Sequence, residues 1–172
     1  MKIKEIIHIG LFVALITIGA FIKVPISIIP ITLQSMMVVL SGLILKKYNS
    51  VIAVMIYIFI GLIGFPVFAN GGGIQYILVP SFGYILGFLL AVLFIAKFKS
   101  DNFKINIVIS IIALLLIYLS GILYFVILQF VYYKKTFTLA WIFYYLFLVY
   151  IPGDIITVVL ANIVYKKIKN VI

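Results

Sequence analysis

Arginine and cysteine are both absent from this 172-residue chain, and only three acids, Glu5, Asp101 and Asp154, stand against 13 lysines. Without cysteine there is no disulfide, no thiolate nucleophile and no cysteine metal site. One histidine and three acids also supply few ligands for any other metal centre. Charge of either sign is scarce, at 9% of residues. A typical soluble domain carries roughly 25%. Too little polar side chain remains to clothe a water-facing surface. With 67% hydrophobic residues and a mean hydropathy of +1.44, the chain is expected to have lipid as its main solvent.

The net charge of +10 does not point to nucleic acid. The lysines fall in short clusters at the ends of apolar runs, the pattern of membrane anchors and topology signals. MKIKEI leads into an apolar run that no small-residue cleavage site ends, so the first helix is expected to stay in the mature protein.

Apolar runs cover residues 6–22, 31–45, 51–64, 74–96 and 105–133. The fourth is interrupted at Pro80, so its helix is expected to begin at Pro80 or Ser81. KKYNS closes the second run, and FPVFANGGG follows the third as a loop. Residues 139–165 would make one helix about 40 Å long against a hydrocarbon core of about 30 Å. Pro152 falls inside that stretch, and the reading adopted splits it there. Residues 139–151 form a short re-entrant or interfacial segment, and Pro152 opens a sixth spanning helix with Asp154 in its first turn. The expected fold is an all-α integral membrane protein with six transmembrane helices. Ten lysines (2, 4, 46, 47, 97, 99, 104, 166, 167 and 169) then lie on one side, and Lys23, Lys134 and Lys135 on the other. By the positive-inside rule both termini are cytoplasmic, and FANGGG and PGD face outward together. No internal repeat or linker divides the chain.

Asp154 is the one acid flanked by apolar runs on both sides. Two readings stand for it: a helix-terminal acid wetted by outside water, or a ligand-binding carboxylate lining a cavity. FANGGG reads as a flexible turn or as backbone that approaches a ligand closely, with Asn70 offering donor and acceptor. With the VPISIIP loop it is placed to roof a polar pocket. Gln34, at the outer end of the second helix, is an interfacial amide or a pocket residue. Tyr84 taken alone reads as an interfacial aromatic. His8, one turn inside the cytoplasmic face, reads as a wet interfacial histidine. Gly10 and Ala14 form a small-xxx-small pair suited to close packing, within this bundle or against a partner subunit.

PITLQ (30–34), GLIGFPVFANGGG (61–73), PSFGYILGF (80–88) and IPGDIITVVLA (151–161) occur in an order that resembles the BioY family, the biotin-binding S components of energy-coupling-factor vitamin transporters. The resemblance runs from the first helix to the C-terminus. It implies an S-component-like bundle, with residues 1–172 forming a single transmembrane substrate-binding domain. It implies that Asp154 accepts the ureido N–H groups of biotin, a charge-assisted contact, and that Asn70 supplements it. Gln34, Gly71, Tyr84 and Thr157 complete the expected site. Thr157 stands where the family commonly has lysine, and PSFGY stands for the common P-T-G-G-Y. No arginine is present to clamp the valerate carboxylate, for which Lys23 or backbone N–H groups of the glycine loop are substitutes.

The implied partners are biotin, the bilayer, a transmembrane coupling subunit docking on Gly10 and Ala14, and two ATPase subunits. The sequence has no Walker loop, so ATP hydrolysis falls to those subunits. No cofactor is expected, biotin being the transported substrate, and the chain is expected in the cell membrane. An S component for another small vitamin is the alternative. An intramembrane enzyme using Asp154 and His8 is disfavoured because the two fall at opposite faces, beyond hydrogen-bond reach. A passive channel would need a charged ring or repeated pore segment, which is missing.

Overall fold

The computed structural model describes residues 2–24 and 29–169, with Lys47 described by its backbone only. Residues 25–28 of the VPISIIP loop and the last three residues lie outside the described part. The chain is an all-α bundle apart from one small ribbon. Helix α1 (Ile3–Phe21) leads into β1 (Lys23–Val24), which pairs antiparallel with β2 (Ile31–Thr32), Lys23 opposite Thr32. Then come α2 (Gln34–Ile44), α3 (Lys47–Leu62), a 3₁₀ turn at Ile74–Leu78, α4 (Phe82–Phe98) and α5 (Phe103–Val131). A short α6 (Leu139–Phe143) and a wide π turn (Tyr144–Leu148) precede α7 (Ile151–Ile168).

Ile3–Phe21, Phe103–Val131 and the stretch Leu139–Ile168 are long and apolar enough to cross a bilayer, and Gln34–Ile44, Tyr48–Leu62 and Phe82–Phe98 are shorter apolar helices. These six coincide with the six expected runs, with three differences. The second run loses its first three residues because Ile31 and Thr32 are taken up by the ribbon. What remains is an 11-residue helix. Its length is about 16 Å, half the hydrocarbon thickness. KKYNS closes the second run as expected but also opens α3 from Lys47, since the N–H groups of Asn49 and Ser50 already bond to the Lys46 carbonyl. Near Pro152 a change of element occurs where expected, but the chain does not turn back. Tyr144, Val149 and Tyr150 keep right-handed helical dihedrals, so α6 runs through the wide turn into α7.

Helix α2 touches α1, α3, α4, α5 and α7, and α4 packs most extensively on α5. Glycines set the α4–α5 distance. A Cβ added at Gly87 would lie 2.8 Å from the Ile117 Cα and 3.0 Å from its carbonyl oxygen. One at Gly83 would collide with the Tyr124 side chain, and one at Gly121 with the Tyr84 ring. The Ser120 hydroxyl crosses the seam to the Gly83 carbonyl at 2.9 Å. Gly83 and Gly87 thus form a small-xxx-small seam that brings two backbones together, the arrangement by which helices associate in lipid.

The core contains Ile16, Val38, Leu43, Tyr57, Ile95, Phe125 and Val158, all nearly or fully buried. Large apolar side chains also cover the outward faces, among them Ile6, Leu11 and Ile18 on α1 and Leu115, Leu119 and Ile127 on α5. A water-soluble monomer does not expose so broad an apolar surface, whereas a bilayer solvates it. The two ends differ in charge. At one, Lys46 pairs with Glu5 at 2.9 Å, Lys169 lies 3.5 Å from Asp101, and Lys99 donates to carbonyls at the end of α2. At the other, Lys23 reaches the glycine loop.

Gly87→Ala should lower the unfolding midpoint of the purified protein in detergent. Helix propensity alone favours alanine by about 1 kcal/mol, but overpacking against the Ile117 backbone costs about 1–3 kcal/mol. Gly10→Ala meets nothing within 4 Å and should leave the midpoint unchanged or higher. Equal midpoints for the two variants would show that the seam does not constrain the fold.

Candidate functional site

The site forms where α2, α4, α5 and α7 converge beneath the ribbon. Asp154 sits one turn into α7, and its backbone N–H donates to the Tyr150 carbonyl at 3.0 Å. Its carboxylate is therefore held by side chains, not by free N–H groups of a helix terminus. Ser35 Oγ donates to Oδ1 at 2.7 Å, and the Tyr118 hydroxyl donates to Oδ2. Thr157 Oγ1 donates to the Asp154 carbonyl at 2.9 Å and approaches Oδ1 at 3.5 Å. Among the described residues no lysine pairs with this acid. Asp154 is only 8% exposed, which removes the reading of a water-wetted terminal acid. A carboxylate buried at membrane depth without a cation is costly, and such groups mark ligand or ion paths.

Beside the carboxylate lies a cavity of about 70 Å³. Its polar wall combines Asp154, Ser35 and Gln34 with the hydroxyls of Tyr118, Tyr84 and Ser81, and Ile85, Phe88, Leu114 and Ile117 make the apolar wall. The aromatic groups are held in place. Tyr118 packs edge-on against Tyr84 at 6.3 Å and Phe147 at 5.1 Å. The Tyr84 hydroxyl donates to the Leu146 carbonyl at 3.0 Å, a carbonyl within the π turn. Tyr150 donates to the Ile29 carbonyl at 2.6 Å, tying the start of α7 to the segment before β2.

Of the expected site residues, Asp154, Gln34 and Tyr84 come together on the cavity wall. Gln34 is buried and its Nε2 donates to Tyr57 at 2.5 Å, so it is a pocket amide and not an interfacial one. Tyr84 is likewise buried, not an interfacial aromatic. Thr157 stands behind Asp154 and steadies it without lining the cavity. Asn70 is exposed and off the wall, receiving a bond from Lys23 at 3.2 Å, and its neighbour Ala69 lines the cavity in its place. The Lys23 ammonium also donates to the Ala69 carbonyl. Gly71, with φ +117°, makes the bridge between Phe68 and the loop and does not line the cavity. That loop is anchored, because Phe68 is fully buried against Tyr57 and Tyr76. His8 lies in a different cavity, so no acid–histidine pair forms at Asp154. Gly10 and Ala14 are both exposed on α1, and a Cβ added at Gly10 would meet nothing within 4 Å.

Ser35, Ser81 and Tyr118 were missed by sequence reasoning. Ser35 directly follows the TLQ element, a signal that was there to use. Tyr118 stands in the middle of a uniformly apolar run in a chain with 12 tyrosines, and nothing local distinguishes it.

The BioY family model matches residues 1–172, the whole chain. A probable biotin transporter BioY of Lysinibacillus sphaericus is 44% identical over 124 residues, 70% of this chain and 63% of that protein, so the match spans less than two thirds of its length. Its counterpart in Pyrococcus horikoshii is 41% identical over 141 residues, 81% of this chain and 84% of that one. The crystal structure of the S-component for biotin from an ECF-type ABC transporter superposes with a TM-score of 0.84 at 25% identity, covering 98% of this chain and 92% of that one. From the full-length match, the relatives and the superposition, the chain belongs to the BioY family.

Proposed function

We propose that this protein is a membrane-embedded biotin-binding subunit that delivers the vitamin to an energy-coupling-factor transporter and carries out no covalent chemistry itself. The observation that carries the reading is Asp154, buried without a cation beside an aromatic-walled cavity, in a chain whose relatives are named biotin transporters. A ureido ring offers two N–H donors and one acceptor. The carboxylate accepts from the donors, exchanging bonds now made by Ser35 and Tyr118, whose released hydroxyls then face the urea oxygen. Apolar walls take the fused rings. Lys23, at the Ala69–Asn70 rim, is the cation placed to meet the valerate carboxylate.

The cavity of about 70 Å³ is smaller than the roughly 300 Å³ at which small-molecule pockets begin. Room for biotin therefore has to come from rearrangement of the lining, part of which is supplied by β2 (Ile31–Thr32) and by Ala69 of the glycine loop. Lys23 links the β1–β2 ribbon to that loop through Ala69 and Asn70. Gly10 and Ala14, both exposed on α1, offer the transmembrane coupling subunit a close-approach face, and two ATPase subunits supply the energy. The lysine-rich end faces the cytoplasm.

Asp154→Asn keeps the shape of the side chain but removes its charge and turns one acceptor into a donor. Biotin affinity in detergent should fall by about 2–4 kcal/mol, roughly 30- to 1000-fold. Tyr118→Phe and Ser35→Ala should each cost less, about 0.5–1.5 kcal/mol. Wild-type affinity in folded Asp154→Asn, or saturable binding of another vitamin in preference to biotin, would remove this reading.

Cysteine placed at Asp101 should resist an impermeant thiol reagent applied to intact cells, whereas cysteine at Lys135 should react. The reverse pattern would put the cavity on the wrong side of the membrane.

Replacing both Gly10 and Ala14 with leucine should abolish ATP-driven uptake while biotin binding by the isolated protein persists. Assembly and uptake at normal levels would place the coupling subunit elsewhere.

A further inference from the structure

A second and larger cavity, of about 440 Å³, opens at the lysine-rich end of the bundle, away from Asp154. Lys2 and Lys4 from the start of α1, Lys46 from the α2–α3 junction, Lys99 just past the end of α4 and Lys169 just past the end of α7 all line it, with Glu5 as the one acid. Four places in the fold thus contribute five lysines to the lining of one concavity. We propose that this cavity binds the phosphodiester headgroup of an anionic phospholipid of the leaflet that faces the lysines.

Internal pairing accounts for only part of the charge. Lys46 is matched by Glu5 at 2.9 Å. Half-buried Lys99 donates to the carbonyls of Gly42, Leu43 and Leu45 at 3.3, 3.0 and 2.6 Å, closing the end of α2 but keeping its charge at the cavity wall. Lys169 meets Asp101 only at 3.5 Å, and that acid is fully exposed, so water screens the pair. Lys2 and Lys4 add two further charges. Five cations against one acid in one concavity repel each other unless an anion enters.

The chemistry of the walls favours a lipid over a free anion. Leu43 and Ile44 line the same space, and the exposed Ile3, Ile6 and Ile7 of α1 stand at the same end, an apolar surface beside the charges. A headgroup with acyl chains satisfies both, and basic pockets between helices at a membrane boundary are where anionic headgroups are held.

The test is titration of the full chain in detergent with phosphatidylglycerol and phosphatidylcholine, read by native mass spectrometry, with inorganic phosphate as competitor. Phosphatidylglycerol should bind in preference. Lys2→Gln/Lys4→Gln/Lys169→Gln should weaken it on the order of 100-fold, each lysine near a lipid surface contributing about a factor of five. Lys97→Gln/Lys104→Gln/Lys167→Gln removes equal charge at the same end outside the cavity and should change binding little. Both variants are checked by gel filtration, and Lys2→Gln alone, on an exposed terminal residue, should still show a partial loss. Equal losses in the two triple variants would reduce the effect to general surface charge and overturn the proposal. Displacement of the lipid by equimolar phosphate would overturn it in favour of a free-anion site. No preference for phosphatidylglycerol would overturn it and leave an acidic partner surface as the occupant.

Discussion

Everything at the Asp154 site depends on how closely α4 and α5 approach each other. Gly83 and Gly87 let the two backbones meet, and Gly121 leaves the space that the Tyr84 ring fills. Tyr84 and Tyr118 are thereby brought edge to face on adjacent helices. Tyr118 then reaches across to Asp154, and Tyr84 to the π turn before α7. Apart from the one bond from the Ser120 hydroxyl to the Gly83 carbonyl, the seam is dispersion and backbone proximity, yet it decides where two hydroxyls stand. In lipid, where no hydrophobic force drives one helix onto another, such contacts carry the specificity of association.

Burial of Asp154 makes sense in those terms. Its donors are neutral hydroxyls on α2, α5 and α7, so the acid joins three helices without neutralising itself. A lysine partner would have held the bundle together as well, but as a buried ion pair. Hydroxyls exchange bonds at lower cost than a buried ion pair does, since breaking such a pair leaves an uncompensated charge.

Much of this was legible in the sequence. The scarcity of charge and the apolar runs located six helical stretches within a few residues, because lipid imposes one simple requirement on a spanning segment. The isolated acid in PGD drew attention for the same reason. Side-chain direction was less readable. Asn70 and Gly71 lie in the right loop but off the wall, since Phe68 anchors that loop and turns Ala69 inward instead. Thr157 lies on the right helix, one turn beyond the acid, and supports it from behind. Tyr118 and the Gly83–Gly87 seam sit in uniformly apolar stretches, where neighbours in space and not in sequence give a residue its role.

The wide turn at Tyr144–Leu148 has a consequence for how this chain can change over time. On one side of it Trp141 stacks on Phe125, and on the other Asp154 bonds to Tyr118, so α5 holds the last helical stretch at two points. Removing or adding one residue between those points would rotate one relative to the other by about 100°. Either the stack or the carboxylate would then face lipid. The number of residues in YYLFLVY is fixed by those two contacts, and Phe147 and Tyr150 are further fixed in kind by the ring packing on Tyr118 and the bond to the Ile29 carbonyl. A change of length here therefore costs either the Phe125–Trp141 stack or the Asp154–Tyr118 bond, the two contacts by which α5 sets the rotation of the last helical stretch.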